Sequence, residues 1–523
     1  MLVIVAAVSV GPPAAATEIA APVRAGDPVY RELRLADLLG LLDGPLHDRS
    51  PLSRKEFFRL LYPLAEGVGL DTGLAPVPAD PRRGITPSVA RRLTRLRDWI
   101  NPWDVFWGKD LYPVTFGFNP LRDITLTGSD VRGGRVAPEY RNYGEDHTEG
   151  VSLLRDGALF IEGDHLALAS EWRLRFDRRA VTYRPLVLSL RTGWRNLRLT
   201  LGREPLAWGP ERHGGLLIST NARPLDQVRI ESESPFALPG LEGLGVFTAS
   251  AFLGKLDDPG RSDAQSPWLS GMRLTYAPAR WLVLGAERTT MLGGGGHDFA
   301  ITPRSVANVL LGRDENRAAG EGDGNDTDQK ATVDWSLYLW PVFRSVPVLD
   351  GGRLYGRYGG EDSPQEGPLP SATGHTYGIE LVLRGVLLRA EASNVRDDRN
   401  LWYWHRVYTD GYTYRGRVLG HPMGGDSRGE AYVMEAPLGT WGVVTASMER
   451  MEHGFHAEPG VPPDAAVPPV SHGVQDAFSL GVEKFLGDHA GFLRIEGRAL
   501  RTWGDRERLD PLEEWGVGVS WRR

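Results

Sequence analysis

Trp172-Arg173-Leu174-Arg175-Phe176-Asp177 and Val333-Asp334-Trp335-Ser336-Leu337-Tyr338-Leu339 share one pattern: an apolar side chain at every second position, with a charge or a hydroxyl between. A period of two belongs to an extended strand, whose successive side chains point to opposite faces. The alternation returns in Leu197-Arg198-Leu199-Thr200-Leu201, through Tyr377, Ile379, Leu381 and Leu383, through Val386, Leu388 and Ala390, and through Leu493, Ile495 and Ala499. The intervening side chains carry charges of both signs: Arg173, Arg175, Arg198, Glu380, Arg389, Glu391, Arg494, Glu496 and Arg498.

A soluble sandwich also alternates, with its polar face in water. The pattern here continues from about residue 110 to the end in segments of roughly ten residues, the length of a tilted membrane strand. In lipid only a closed barrel satisfies every backbone group of its strands. The reading is therefore all-β, a transmembrane antiparallel β-barrel of roughly 16 to 18 strands over 110–523. Apolar faces meet lipid and the charges line the lumen, because an Arg at the lipid midplane costs about 2–4 kcal/mol. Trp172, Trp194, Trp281, Trp335, Trp340, Trp441, Trp503 and Trp521 fall near strand ends, as interfacial girdles require. Gly385 and Asp488-His489 read as turns, and the Gly/Pro/Asp-rich links near 255–267, 313–329, 361–373 and 453–475 as outer loops. The last strand alternates Trp515, Val517, Val519 and Trp521 and ends on Arg522-Arg523.

Composition agrees. The 523 residues hold 60 Lys+Arg and 67 Asp+Glu, a net charge of −7, which argues against a nucleic-acid partner. Five of the 60 are Lys, leaving 55 Arg, whose planar fork suits carboxylates and sugar hydroxyls. Cys is 0, which removes disulfides, thiol catalysis and Cys-bound zinc. Beyond the N-terminus no segment approaches the roughly 20 apolar residues of a membrane helix. Leu2 to Val8 is apolar and is followed by Pro12-Pro13 and Ala14-Ala15-Ala16, so residues 1–16 read as an export signal without the usual basic start.

Between them, 27–100 reads as a small periplasmic helical bundle. Leu33, Leu35, Leu38, Leu39 and Leu42 give a helical period that ends near Gly44-Pro45. Ser53 with Glu56 opens a second helix through Leu64, and Thr86-Pro87 to Trp99 gives a third.

Two stretches stand apart from generic strands. One is Gly202-Arg203-Glu204-Pro205-Leu206-Ala207-Trp208-Gly209-Pro210, running on to Asn221-Ala222-Arg223-Pro224. The other is Trp402-Tyr403-Trp404-His405-Arg406-Val407-Tyr408, then Gly411-Tyr412-Thr413-Tyr414-Arg415-Gly416, then Leu419-Gly420-His421-Pro422-Met423-Gly424-Gly425-Asp426-Ser427. In residues and in order they resemble the Wzi family of capsule-assembly proteins of Gram-negative outer membranes, over most of the mature chain. The resemblance implies an 18-stranded barrel in the cell outer membrane, its lumen blocked by loops and by a periplasmic helical unit. It implies a lectin-like protein, not an enzyme, that anchors capsular or extracellular polysaccharide to the cell surface.

Trp402, Tyr403, Trp404, Tyr412 and Tyr414 offer ring faces to sugars, and Arg406 and Arg415 offer donors to hydroxyls and carboxylates. The same segment suits a lumen plug, which takes precedence because plugged lumens recur in barrels. His405, His421 and Asp426 have no compact ligand spacing, so no metal is expected, and no cofactor either. Ser427 lacks a nucleophile elbow. Glu204 and Glu211 flank the Trp208-Gly209-Pro210 turn as a conceivable acid pair, with a packed loop the plainer role. Gly293 to Gly296 lacks a following Lys-Ser/Thr and reads as a turn. The partners expected are polysaccharide and outer-membrane lipid, the protein a monomer; the alternative is a channel for sugars or small polar solutes.

Overall fold

The structure is a computed structural model. It describes residues 29–53, 56, 60, 110–111, 114–132, 143–145, 150–295, 302, 327–361, 372–396, 402–453, 473–486, 492–504 and 512–522, apart from 43, 164, 179, 344–345, 347, 406–407 and 440. The export signal expected over 1–16, the helix expected over 86–99 and most of the one expected from Ser53 lie outside these residues.

Among the described residues eighteen strands close into one barrel. They are β1 (Val114–Arg132), β2 (Gly150–Gly163), β3 (Leu166–Phe176), β4 (Val181–Trp194), β5 (Leu197–Glu204) and β6 (Leu225–Ser232). Next come β7 (Val246–Lys255), β8 (Trp268–Ala279), β9 (Leu282–Leu292), β10 (Thr327–Tyr338), β11 (Leu349–Glu361) and β12 (Ala372–Leu383). The last six are β13 (Val386–Asn394), β14 (Ser427–Pro437), β15 (Gly442–His453), β16 (Gly473–Phe485), β17 (Phe492–Gly504) and β18 (Leu512–Arg522). Each pairs antiparallel with the next, and β18 closes on β1 from Glu513↔Arg132 to Arg522↔Asp123. Arg522 adds an ion pair to Asp123 across that seam.

The links are unequal on the two rims. One rim has the tight connections at 164–165, 195–196, 280–281 and 384–385; the other has 133–149, 205–224, 293–326, 395–426 and 454–472. Short turns mark the periplasmic rim and long loops the extracellular one. Trp194, Trp281 and Trp441 are exposed at the short-turn rim, where a girdle belongs.

The barrel is inside out. Val333 and Leu480 face outward, 58% and 59% exposed, while Arg198, Arg353 and Glu380 inside are 1%, 0% and 0% exposed. Arg173, Arg175 and Glu391, read as lumen charges from the alternation alone, are also buried. An apolar wall around a charged interior is the arrangement of an outer-membrane barrel, because lipid solvates the wall and the charges pair within.

The N-terminal segment enters this interior. Helix α1 (Val29–Leu38) packs Leu33, Leu35 and Leu38 against Val382 and Leu387, which flank the periplasmic turn between β12 and β13. Of the helical bundle expected here, the described residues show α1 whole; Glu56 and Leu60 are also helical, and the rest lies outside them. The end of α1 differs from the sequence reading by a turn, because Gly40 at φ +66 stops it against the Trp340 ring. Trp340 lies two residues beyond the end of β10, in the short helix α2 (Trp340–Phe343). Beyond it the chain climbs the lumen, and Arg49–Ser50 pairs antiparallel with Ala207–Trp208.

Candidate functional site

The Trp208-Gly209-Pro210 turn descends from the extracellular rim, and its backbone carbonyls receive arginines from β11. Arg357 Nη2 donates to the Trp208 carbonyl at 3.1 Å, and Arg353 Nη2 to that of Pro210 at 2.9 Å. Gly209, at φ +113, donates its own N–H to the Asp48 carbonyl at 2.8 Å. A Cβ there would lie 1.8 Å from Arg357 Nη2, so the turn requires glycine. The side chain of Asp48 meanwhile accepts from Arg353 Nη1 at 2.9 Å and from the Ser336 hydroxyl at 2.8 Å. The N-terminal segment, the turn and the wall are thus tied at one buried point.

The surrounding charges are in clusters. Arg357 pairs with Glu211 at 2.8 Å and Glu287 at 2.6 Å, and Arg273 with Glu287 at 2.9 Å and Asp334 at 2.6 Å. Three carboxyls therefore share two guanidiniums, and burial pushes the Glu211 carboxyl up to about 8 against the pull of Arg357. Glu204 is fully buried elsewhere, holding Arg191 at 2.8 Å and Arg229 at 2.5 Å. The two carboxyls considered as an acid pair thus belong to different arginine clusters.

The link between β13 and β14 packs above. Tyr403 and Tyr412 stack at 5.9 Å, Trp402 packs on Tyr403 at 5.5 Å, and all three are buried with Tyr414. The Tyr403 hydroxyl donates to the Leu216 carbonyl at 2.5 Å and accepts the His421 N–H at 2.7 Å, joining the two distinctive stretches. Tyr412 reaches Thr289 on the inner wall of β9 at 3.0 Å. Asn221 donates to the Val418 carbonyl at 3.0 Å. His421 Nδ1 accepts the Met423 N–H at 3.3 Å. Gly411 at φ +75 gives its carbonyl to Arg261, and Pro224, Asp426 and Pro422 sit within the same packed region. His405 is half-buried against Tyr408, Trp404 is half-buried, and Arg406 lies outside the described residues. No group of His and acidic side chains with metal-site geometry occurs among the described residues.

Arginines stand at the outer side of this plug. Arg415 is exposed, with its guanidinium 5.7 Å from the Tyr414 ring centre. Arg223, half-buried, has its pKa lowered by burial and then by the neighbouring Arg184 and Arg415 charges. Arg184 is anchored to Glu145 at 3.0 Å, and Arg417 to the Glu145 carbonyl at 3.2 Å. Arg415 in turn donates to the Asp257 carbonyl at 3.1 Å and lies 3.7 Å from its carboxylate, so these guanidiniums stand among acidic partners while offering donors that suit carboxylates and sugar hydroxyls.

Of the residues singled out from sequence, Arg223 and Arg415 meet at this outer face. Trp402, Tyr403, Tyr412 and Tyr414 lie beneath it, their rings turned to one another and not to solvent. Arg184, Arg353, Arg357 and Asp48 escaped the sequence reading. Arg353-x-Tyr355-x-Arg357, on one face of β11, carried a period-2 signal for two of them; Asp48 had none, its partner lying 305 residues away.

The family model of the capsule assembly protein Wzi matches residues 133–486. Among solved structures, Wzi of Escherichia coli superposes with TM-score 0.67 at 19% identity, over 96% of this chain and 100% of that one. That protein is described as an outer-membrane protein involved in group 1 capsule assembly and a carbohydrate-binding β-barrel. Pseudomonas aeruginosa OpdQ gives 0.44 at 8% identity, over 78% and 97% of the two chains. Pseudomonas aeruginosa OprD gives 0.43 at 10%, over 80% and 97%. Among curated proteins none matches.

Proposed function

The chain belongs to the Wzi family of capsule assembly proteins, and from that footing we propose that it is a lectin-like outer-membrane barrel that anchors exported capsular polysaccharide to the cell surface. The observation that carries this reading is the family match over 133–486, which includes both loops that build the outer face. The chemistry of that face agrees: Arg184, Arg223, Arg415 and Arg417 suit an acidic polymer. Trp404 and Arg406 complete the proposed glycan contact, while Trp402, Tyr403, Tyr412 and Tyr414 stiffen it from below. The barrel works as a monomer and without catalysis; Glu204 and Glu211 hold arginines. Helix α1 and the segment after it close the periplasmic end.

Binding of purified acidic capsular polysaccharide to the purified barrel tests this. Saturable binding that weakens with salt, with polymer length unchanged after incubation, is expected. No binding, or a shortened polymer, would overturn the reading.

A further inference from the structure

One space in the lumen is left over from the plug, and the capsule role does not use it. Between α1, the Trp208-Gly209-Pro210 turn and the strands β13, β14 and β17 lies a cavity of about 470 Å³. Leu387 and Arg494 in its wall stand near the periplasmic ends of β13 and β17. Arg494, with its side chain 31% exposed, marks the side that water reaches.

Six arginines line the cavity, Arg31, Arg34, Arg49, Arg212, Arg389 and Arg494, against three acids, Asp48, Glu211 and Glu435. The acids that hold most of these arginines stand outside the lining: Glu32 and Glu483 on Arg31, Glu56 on Arg49, Glu380 on Arg389 and Glu496 on Arg494. Within the lining, Glu435 lies 3.8 Å from Arg31, and Glu211 pairs with Arg357 and is pushed up to about 8 by burial.

Arg34 stands apart from these pairs. Half-buried on α1, it makes no hydrogen bond and no ion pair among the described residues, and its Nη1 is withheld from water. The carboxylates whose charge it feels most, Glu380 and Asp48, are already taken. Glu380 holds Arg353 and Arg389, each at 2.8 Å, with Arg212 at 3.7 Å. Asp48 holds Arg353 at 2.9 Å and Arg212 at 3.4 Å, and Arg212 Nε has no hydrogen-bond partner. Four guanidiniums thus share two carboxylates. Asp37, the next acid along α1, accepts from the Tyr338 hydroxyl at 2.7 Å, and burial raises it to about 7. A guanidinium withheld from water without a counter-charge of its own is costly, and an anion beside it removes that cost.

We propose that this cavity binds one divalent tetrahedral oxyanion, sulfate or inorganic phosphate, between Arg34, Arg212 and Arg389. Planar guanidinium forks match the spacing of oxyanion oxygens. Bound there, the anion joins α1, the plug turn and the wall at β13, supplying the counter-charge that Asp48 and Glu380 do not. The site is independent of polysaccharide binding at the outer face.

The test is equilibrium dialysis of the full-length barrel in detergent against radiolabelled sulfate. Saturable binding of about one sulfate per barrel is expected, displaced by phosphate at least tenfold better than by perchlorate, which has the same shape and a single charge. Arg34→Gln and Arg212→Gln are each expected to weaken binding about tenfold, with the heat-modifiable gel shift verifying the barrel in each. Arg415→Ala, at the outer face, is expected to bind as the wild type does. No saturable binding, equal displacement by perchlorate, or binding unchanged in Arg34→Gln would overturn the site. So would loss of binding in Arg415→Ala, which would move the anion to the outer face.

Discussion

At the scale of single residues, two side chains report on the buried cluster beneath the outer face. Gly209 has no space for a Cβ beside Arg357. Gly209→Ala therefore adds a steric overlap to a backbone cost of about 1–3 kcal/mol for a residue held at positive φ. A lower temperature for the heat-modifiable gel shift is expected, with Ala207→Gly, two residues away, as a milder control. Glu211 gives a pH signature. Its ordinary carboxyl value is 4.5 and burial raises it to about 8, so the folded state binds the extra proton between these values. The stability it contributes is complete below about pH 4.5 and is lost as pH rises through about 8. Thermal unfolding of the wild type should decline across that window, and Glu211→Gln should flatten the decline. At the outer face, Arg223→Ala and Arg415→Ala should each weaken polysaccharide binding about three- to tenfold, with a shallower salt dependence. From sequence, Arg415 reads as a candidate glycan contact and Arg223 only as part of the motif that follows Trp208-Gly209-Pro210. Asp48 was not legible, because a buried ion pair between positions 48 and 353 leaves no local trace.

At the scale of elements, strands were more legible than anything that fills them. Alternation exposes a strand because one face meets lipid and the other a polar lumen, and β3, β5, β10, β12, β13 and β17 all coincide with sequence segments of period two. The rest is tertiary. Trp340 carries the same aromatic signal as Trp335, yet packs on Gly40 in a short helix, since a ring cannot tell lipid from a helix end by its identity alone. The aromatic link between β13 and β14 read equally as a sugar platform and as a plug, for its rings suit both; packing against Leu216 and Thr289 decides where four of them point. That link is latched to the one between β7 and β8. Asp263 pairs with Arg261 at 2.8 Å and accepts the Asp410 N–H at 2.9 Å, while Arg261 donates to the Gly411 and Thr413 carbonyls. Asp263→Ala should free the latch: limited proteolysis is expected to cut within 402–426 several times faster than in the wild type, with the barrel itself unaffected.

At the scale of the whole molecule, the sorting of charge is the organising fact. Arginine and carboxylate clusters fill the interior, apolar side chains cover the wall, and the plug offers arginines to the outside. Clusters of this kind hold a plug in one arrangement, because a buried guanidinium left without its carboxylate costs far more than an exposed one. Reconstitution in planar bilayers is expected to give no steady ion current through a lumen filled in this way, whereas an open channel for small solutes would give a stable one. The claim that draws these scales together is retention of capsular polymer, and its most direct measurement compares cell-bound with shed polysaccharide in a deletion strain. The account predicts that polymer is still made but moves from the cells to the medium, and that the wild-type chain restores attachment where the Arg223→Ala/Arg415→Ala variant restores little. Attachment unchanged by the deletion would contradict it.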